Sequence, residues 1–151
     1  MPLSARMQRR RVHDKSTMAL ARVLIAEDFP PFRQYIISTL ANCEYLQLVG
    51  EVSDGLEAVQ KAEELKPDLI ILDVGLPSLN GIEAARRIQT LVPQTVIIFL
   101  TQQSSPEIIR EALDAGAKGY VLKISAATDL QTAIKTVLEG GRFFSDGLIG
   151  N

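Results

Sequence analysis

Five polar side chains in this sequence stand directly after short apolar runs, and their chemistry is complementary. They are Glu27, Asp28, Asp73, Thr101 and Lys123. Three carboxylates brought together repel one another and resist ionisation unless a cation joins them. Because oxygen ligands without histidine or cysteine favour Mg²⁺, the acids point to a magnesium site. A lysine and a hydroxyl opposite such acids can donate hydrogen bonds to phosphoryl oxygens.

Each of these residues has an ordinary structural interpretation when taken alone. Glu27 and Asp28 could cap the helix that follows them, Asp73 could end a strand before a turn, and Lys123 could be a solvated lysine. Their shared position argues against this explanation, because the carboxyl ends of neighbouring parallel strands meet at one edge of a sheet, where ligands bind.

Apolar runs alternate with amphipathic stretches along the chain. The runs lie at 23–26, 46–52, 69–72, 96–100 and 120–122. Three of them are continuous, as strands covered on both faces require. Apolar residues recur at helical spacing at 32–40, 56–65, 82–91, 108–115 and 130–138. This order predicts a doubly wound α/β fold, with a parallel sheet and helices on both faces.

Composition and motifs exclude several kinds of site. The sequence has one cysteine and one histidine, which excludes an internal disulfide framework, cysteine-rich zinc sites and histidine clusters. No glycine-rich phosphate loop follows the first apolar run, and no G-x-S-x-G motif is present. P-loop, dinucleotide-binding and serine-hydrolase interpretations therefore fail.

The charge distribution divides the chain. Residues 1–22 carry six basic side chains and one acidic side chain, whereas residues 23–151 carry 10 basic and 17 acidic. We expect a disordered basic arm at 1–21, a folded domain at 22–140 and a linker-like tail at 141–151. No apolar run is long enough to span a bilayer, and the start lacks the uninterrupted apolar stretch of a signal peptide. We therefore expect a cytoplasmic protein.

Four motifs together resemble a response-regulator receiver domain of bacterial two-component signalling. They are VLIAED at 23–28, DLIILDVGLPSLNG at 68–81, IIFLT at 97–101 and GYVLK at 119–123. The resemblance covers nearly everything from Arg22 to about Gly140. It implies a CheY-like sheet of five parallel strands in the order 2-1-3-4-5.

The resemblance also implies roles for the acidic residues. Asp73 would be the phosphoacceptor, a carboxylate nucleophile taking a phosphoryl group from a histidine kinase. Asp28, Asp73 and the backbone carbonyl of Gly75 would ligate Mg²⁺, and Glu27 would act largely through metal-bound water. We expect a signalling module of this kind rather than an enzyme.

Three further residues receive roles from the same resemblance. Lys123 would pair with the phosphoryl oxygens, Thr101 would hydrogen-bond the phosphoryl group, and Tyr120 would change rotamer and point inward in the active state. Two positions depart from the common pattern. Gln102 is long where the residue after Thr101 is usually small, and Gly75 has no side chain to meet the phosphoryl group. Both departures would alter phosphorylation and dephosphorylation rates.

The expected partners follow from the resemblance. Phe32 and Ile124 are candidate contacts with the kinase. A homodimer through the fourth helix, fifth strand and fifth helix could use ion pairs from Lys118, Arg110 and Asp129. The end of the sequence resembles the point where NarL/FixJ-group receivers pass into a linker and a helix-turn-helix domain. We therefore expect the receiver part of a DNA-binding transcription regulator, with DNA contacted only through an effector domain.

Three alternatives remain open from the sequence. The chain could be a stand-alone receiver. It could be a Mg²⁺-dependent phosphatase or phosphotransferase with Asp73 as nucleophile, although such enzymes usually carry a second acid where Gly75 stands. It could also be a degenerate receiver that acts without phosphorylation, although the complete acidic pocket, Thr101 and Lys123 argue against this.

Overall fold

A computed structural model of the chain describes residues 20–145. The predicted basic arm at 1–21 therefore lies almost entirely outside the described residues, as do residues 146–151 of the predicted tail. Within residues 20–145, no helix is both long enough and apolar enough to cross a membrane.

Within the described residues the sheet has six strands, and every pair of neighbours is parallel. The strand order is β2-β1-β3-β4-β5-β6. The predicted order 2-1-3-4-5 is confirmed, with a sixth strand added beyond β5. The strands are β1 Ala21–Ala26, β2 Leu46–Val52, β3 Leu69–Leu72, β4 Val96–Thr101, β5 Gly119–Leu122 and β6 Phe143–Phe144.

In the part of the chain that the structure describes, five α-helices connect and flank the first five strands, which confirms the predicted alternation. Lys123–Ser125 form a single 3₁₀ turn between β5 and the last helix. The α-helices are α1 Pro30–Ala41, α2 Gly55–Leu65, α3 Gly81–Leu91, α4 Pro106–Asp114 and α5 Ala126–Leu138.

Two apolar clusters cover the two faces of the sheet. Alternate strand residues such as Leu24 and Ile70 pack with α2, α3 and α4. The residues between them, such as Val23 and Ile71, pack with α1 and α5. Because successive side chains of a strand point to opposite faces, a strand in the middle of the sheet must be apolar at every position. This requirement accounts for the continuous apolar runs in the sequence.

Helix starts follow local side-chain chemistry. Asn80 accepts a hydrogen bond from the Glu83 backbone N–H at 3.0 Å, and Ser105 accepts one from the Ile108 N–H at 3.2 Å. Each satisfies a backbone donor that the first turn of a helix leaves unpaired. Gly81 opens α3 against the strand end that carries Asp73. A Cβ at Gly81 would lie 1.9 Å from the Asp73 carbonyl oxygen, so only glycine permits this approach.

The segment predicted as a linker-like tail contributes a strand. Phe143 and Phe144 pair with Gly119 and Tyr120 of β5. Phe143 packs with the α1/α5 cluster and Phe144 with the opposite cluster. A strand of two residues is too short to show a periodic pattern, which explains why the sequence did not indicate it.

Ser145 anchors this strand. Its side-chain oxygen donates a hydrogen bond to Asp129 Oδ2 at 2.8 Å and accepts one from the Leu122 N–H at 3.2 Å. Its own N–H bonds the Tyr120 carbonyl oxygen at 3.0 Å. The residue is buried, so these partners are not replaced by water.

We expect Ser145→Ala to lower the free energy of unfolding by about 1 kcal/mol, because the part-buried Leu122 N–H and Asp129 carboxylate each lose a hydrogen bond. Urea denaturation measures this change. Ser104→Ala, at an exposed position before α4, is the matched control and should be near neutral. Equal stability of the two variants would contradict the prediction.

Candidate functional site

The carboxyl ends of β1, β3 and β4 and the turn after β5 meet at one rim of the sheet, where they surround an open pocket. The pocket has a volume of about 610 Å³. The five polar residues singled out in the sequence all line it, as do four neighbours. The lining residues are Glu27, Asp28, Phe29, Asp73, Gly75, Thr101, Gln102, Gln103 and Lys123.

Three carboxylates form a cluster in this pocket. Glu27, Asp28 and Asp73 each offer one oxygen, and these oxygens lie within 4.8 Å of one another. Glu27 and Asp73 are buried, whereas Asp28 is exposed. The backbone explains the arrangement, because the Asp73 N–H bonds the Ala26 carbonyl oxygen at 3.1 Å across β1 and β3. An all-oxygen set of this kind fits Mg²⁺.

Glu27 is the most enclosed of the three acids. Burial raises the pKa of its carboxyl, while contacts with Lys123 and the Phe29 N–H lower it by less. Oε2 accepts a hydrogen bond from the Phe29 N–H at 3.0 Å. Oε1 is buried and lies 2.9 Å from the Lys123 ammonium, with which it forms an ion pair. A buried carboxylate oxygen aimed into a pocket is a fitting ligand for a cation.

Lys123 joins two of the acids. Its Nζ lies 2.9 Å from Glu27 Oε1 and donates a hydrogen bond to Asp73 Oδ2 at 3.1 Å. Burial alone would lower the pKa of the ammonium, but its contacts with Glu27 and Asp73 outweigh that effect and raise it. The same nitrogen lies 4.8 Å from the centre of the Phe32 ring. Lys123 is therefore held charged between the acids.

Thr101 and Tyr120 are linked through one residue of the loop after β4. The Thr101 hydroxyl oxygen accepts a hydrogen bond from the Gln103 N–H at 3.3 Å. The Tyr120 hydroxyl donates to the Gln103 carbonyl oxygen at 2.7 Å. The tyrosine ring is fully buried and points inward. Burial, with a smaller effect of Asp73, raises the pKa of Tyr120 to about 12.

Gln103 is a pocket residue for which the sequence analysis proposed no role. Its side-chain Nε2 lies 3.8 Å from the place where a Cβ would stand at Gly75. The amide therefore lies beside the space that Gly75 leaves open. The Gly75 N–H itself donates to Asp73 Oδ1 at 3.3 Å. Two successive glutamines follow Thr101 in the sequence, but the direction of each side chain cannot be derived from the spacing.

The predicted partner residues have different surroundings. Ile124 is 92% exposed, while Phe32 is half-buried and contacts the Tyr35 ring at 5.3 Å between centres. Lys118 and Arg110 are exposed. Both carboxylate oxygens of Asp129 accept hydrogen bonds within the chain, from Thr128 and Ser145. The Asp129 carboxylate thus already has hydrogen-bond partners within the chain.

A doubly wound parallel sheet with three acids, a hydroxyl and a lysine at its carboxyl edge defines the CheY-like class of signalling domain. The family model of the response regulator receiver domain matches residues 23–135. The chain belongs to this family.

Relatives and solved structures agree with this assignment. The response regulator protein VraR of Staphylococcus epidermidis is 36% identical over 123 residues, which are 82% of this chain and 59% of that protein. The chain thus spans about 59% of the length of this curated relative. A LuxR-family response regulator from Aurantimonas superposes with a TM-score of 0.82 at 31% identity, covering 86% of this chain and 93% of that one.

A third comparison involves DNA. RcsB of Salmonella enterica serovar Typhimurium, bound to the promoter P1flhDC in the presence of the phosphomimetic BeF₃⁻, is similar with a TM-score of 0.79 and 30% identity. The match covers 85% of this chain and 64% of the RcsB chain. The relatives of this receiver domain thus include transcriptional regulators.

We expect a phenolate absorbance titration to contain a step near pH 12 that Tyr120→Phe removes. The folded protein holds this proton above the ordinary pKa of 10.0. The free energy of unfolding should therefore fall as pH rises from 10 to about 12, because in this range the unfolded chain has released the Tyr120 proton and the folded protein still holds it. Tyr35→Phe is the control and should retain the late step. Persistence of that step in Tyr120→Phe would contradict the assignment.

Proposed function

We propose that this chain is a phosphoacceptor domain in which Asp73 takes a phosphoryl group from a histidine kinase with the help of Mg²⁺. The observation that supports this most strongly is the cluster of three carboxylates within 4.8 Å, with the Lys123 ammonium 3.1 Å from Asp73. Buried like charges alone are costly, so such a cluster is expected where a cation and a phosphoryl group bind.

The acids would hold the metal, with the carbonyl of Gly75 completing the protein ligands. Asp28 and Asp73 would be direct ligands, and Glu27 would act largely through water. When bound, Mg²⁺ supplies charge neutralisation for in-line phosphoryl transfer. An Asp73 carboxylate oxygen forms the new P–O bond as the P–N bond to the donor histidine breaks. Lys123 is placed to bond the transferred oxygens.

The switch follows from the contacts around Gln103. A phosphoryl group on Asp73 is a strong acceptor for the Thr101 hydroxyl. Reorientation of Thr101 disturbs its contact with the Gln103 N–H, and the Gln103 carbonyl is the acceptor for Tyr120. The two hydrogen bonds therefore connect charge at the rim to the ring in β5. This is a local electrostatic event with a two-state structural consequence.

The partner proposals rest on the surface beside the pocket. The exposed Ile124 and the half-buried Phe32 flank Lys123, so a kinase that delivers a phosphoryl group to Asp73 would contact both. The face made by α4, β5 and α5 is our proposed homodimer surface, with Lys118 and Arg110 among its exposed charges and with β6 paired to β5 at its edge. Residues 22–140 are the proposed receiver domain, on which β6 docks from the following segment.

The output proposal draws on the relatives. RcsB binds promoter DNA, and we propose that this chain is likewise the receiver part of a DNA-binding regulator. Its acidic body, with 10 basic and 17 acidic residues in 23–151, is not suited to bind DNA directly. DNA would be contacted through an effector domain, and the protein would act in the cytoplasm.

Beryllofluoride with Mg²⁺ should bind at Asp73 and shift the NMR resonances of Thr101, Gln103 and Tyr120. Asp73→Asn should abolish these shifts, because it removes the carboxylate that accepts the phosphoryl mimic. Asp114→Asn, at the exposed end of α4, is the control and should respond like the wild type. An unresponsive wild-type protein, or a responsive Asp73→Asn variant, would contradict the proposed function.

Gln103→Ala should increase the rate of Asp73 modification by acetyl phosphate by about threefold, equivalent to about 0.7 kcal/mol of barrier. The reason is that the Gln103 amide lies beside Gly75 and restricts access from solvent. Intact-mass spectrometry over time measures the rate, and Gln131→Ala on α5 is the control. A rate equal to or below that of wild type would show that Gln103 does not obstruct the donor.

A further inference from the structure

Arg33 lies on the first turns of α1, where its guanidinium contacts the loop after β1 and strand β2. Nη1 donates a hydrogen bond to the Glu27 carbonyl oxygen at 2.7 Å. Nε lies 3.4 Å from Glu51 Oε1, near the end of β2. The arginine side chain is 21% exposed. It therefore ties the loop that carries Glu27 and Asp28 to both α1 and β2.

With this contact, both backbone polar groups of Glu27 have hydrogen-bond partners. The Glu27 N–H donates a hydrogen bond to the Val52 carbonyl oxygen at 3.0 Å, and the Glu27 carbonyl oxygen accepts one from Arg33 Nη1. The carbonyl of Glu27 belongs to the peptide bond that leads into Asp28. Fixing both backbone groups of Glu27 therefore sets the direction in which the chain leaves towards Asp28.

Asp28 has no other support among residues 20–145. Its carboxylate is exposed, and no hydrogen bond or ion pair from a described side chain holds it. By contrast, Glu27 is held by the Phe29 N–H and Asp73 by Lys123 and the Gly75 N–H. The position of the Asp28 carboxylate thus depends on its backbone.

We propose that Arg33 is a positioning residue for the cation site, acting on Asp28 through the Glu27 carbonyl. This inference rests on the proposed function of the acidic cluster as a Mg²⁺ site. Arginine suits this positioning role because its planar guanidinium can donate hydrogen bonds in two fixed directions at once, whereas a lysine ammonium lacks that fixed geometry. Glu51 keeps the guanidinium in place and offsets its charge.

Two effects of Arg33 on Mg²⁺ binding have opposite signs. A fixed positive charge beside three acids repels a second cation, so electrostatics alone predicts that its removal tightens Mg²⁺ binding. Positioning predicts the reverse, because a mobile Asp28 carboxylate must be ordered when the ion binds. The sign of the change therefore separates the two roles.

The experiment is a Mg²⁺ titration of the wild type, Arg33→Met, Arg33→Lys and Arg86→Met, followed by NMR of Asp28 and Asp73. We expect Arg33→Met to raise the Mg²⁺ dissociation constant about fivefold, equivalent to about 1 kcal/mol. Arg33→Lys, which keeps the charge but loses the fork, should also weaken binding. Arg86→Met breaks a more exposed arginine–glutamate pair, with Glu83 on α3, and should bind Mg²⁺ like the wild type.

The Mg²⁺ affinities of these variants decide whether Arg33 positions Asp28. Unchanged or tighter Mg²⁺ binding in Arg33→Met, with normal binding in the wild type, would overturn the positioning role alone. If Arg33→Met does not fold, Arg33→Lys carries the test, and unchanged binding there would overturn the proposal. A wild-type protein that binds no Mg²⁺ would overturn the proposed function itself, and this inference with it.

Discussion

The arrangement of this rim depends on the ion pairs that the Lys123 ammonium forms with Glu27 and Asp73. The ammonium lies 2.9 Å from Glu27 and 3.1 Å from Asp73, and both of these acids are buried. Without a cation between them, two buried carboxylates would repel and take up protons. The requirement extends to the whole fold, because Glu27, Asp73 and Lys123 follow three different strands. Only a parallel sheet, with β1, β3 and β5 ending at one edge, brings them together.

Backbone packing gives this charge cluster its precision. The Asp73 N–H is bonded to β1, and the start of α3 presses against the Asp73 carbonyl at a position that only Gly81 tolerates. The Asp73 backbone is thus held on two sides before any ligand arrives. A site organised in advance loses less entropy when an ion or a phosphoryl group binds. The apolar clusters on both faces of the sheet supply the stability that offsets the repulsion among the acids.

Strand polarity explains why so much of the site could be predicted. Four apolar runs, assumed to form parallel strands, were enough to predict that the residues after them lie together at one edge of the sheet. These residues are Glu27, Asp73, Thr101 and Lys123. Gln103 and Arg33 were missed because their roles depend on where a long side chain points, which is decided by packing. The strand β6 was missed because two residues carry no periodicity, and its pairing comes from aromatic packing and Ser145 rather than from local propensity.

Strand β5 carries Tyr120, leads directly to Lys123 and anchors the segment that follows α5. Tyr120 donates its hydroxyl to the loop after β4 while its carbonyl accepts from Ser145. Leu122, the residue before Lys123, donates its N–H to the Ser145 side chain. A displacement of β5 that alters Tyr120 or Lys123 must therefore also strain the hydrogen bonds of β6. Because β6 is only two residues long, these few bonds and the two phenylalanine rings are what hold it, so its docking is sensitive to small changes in β5.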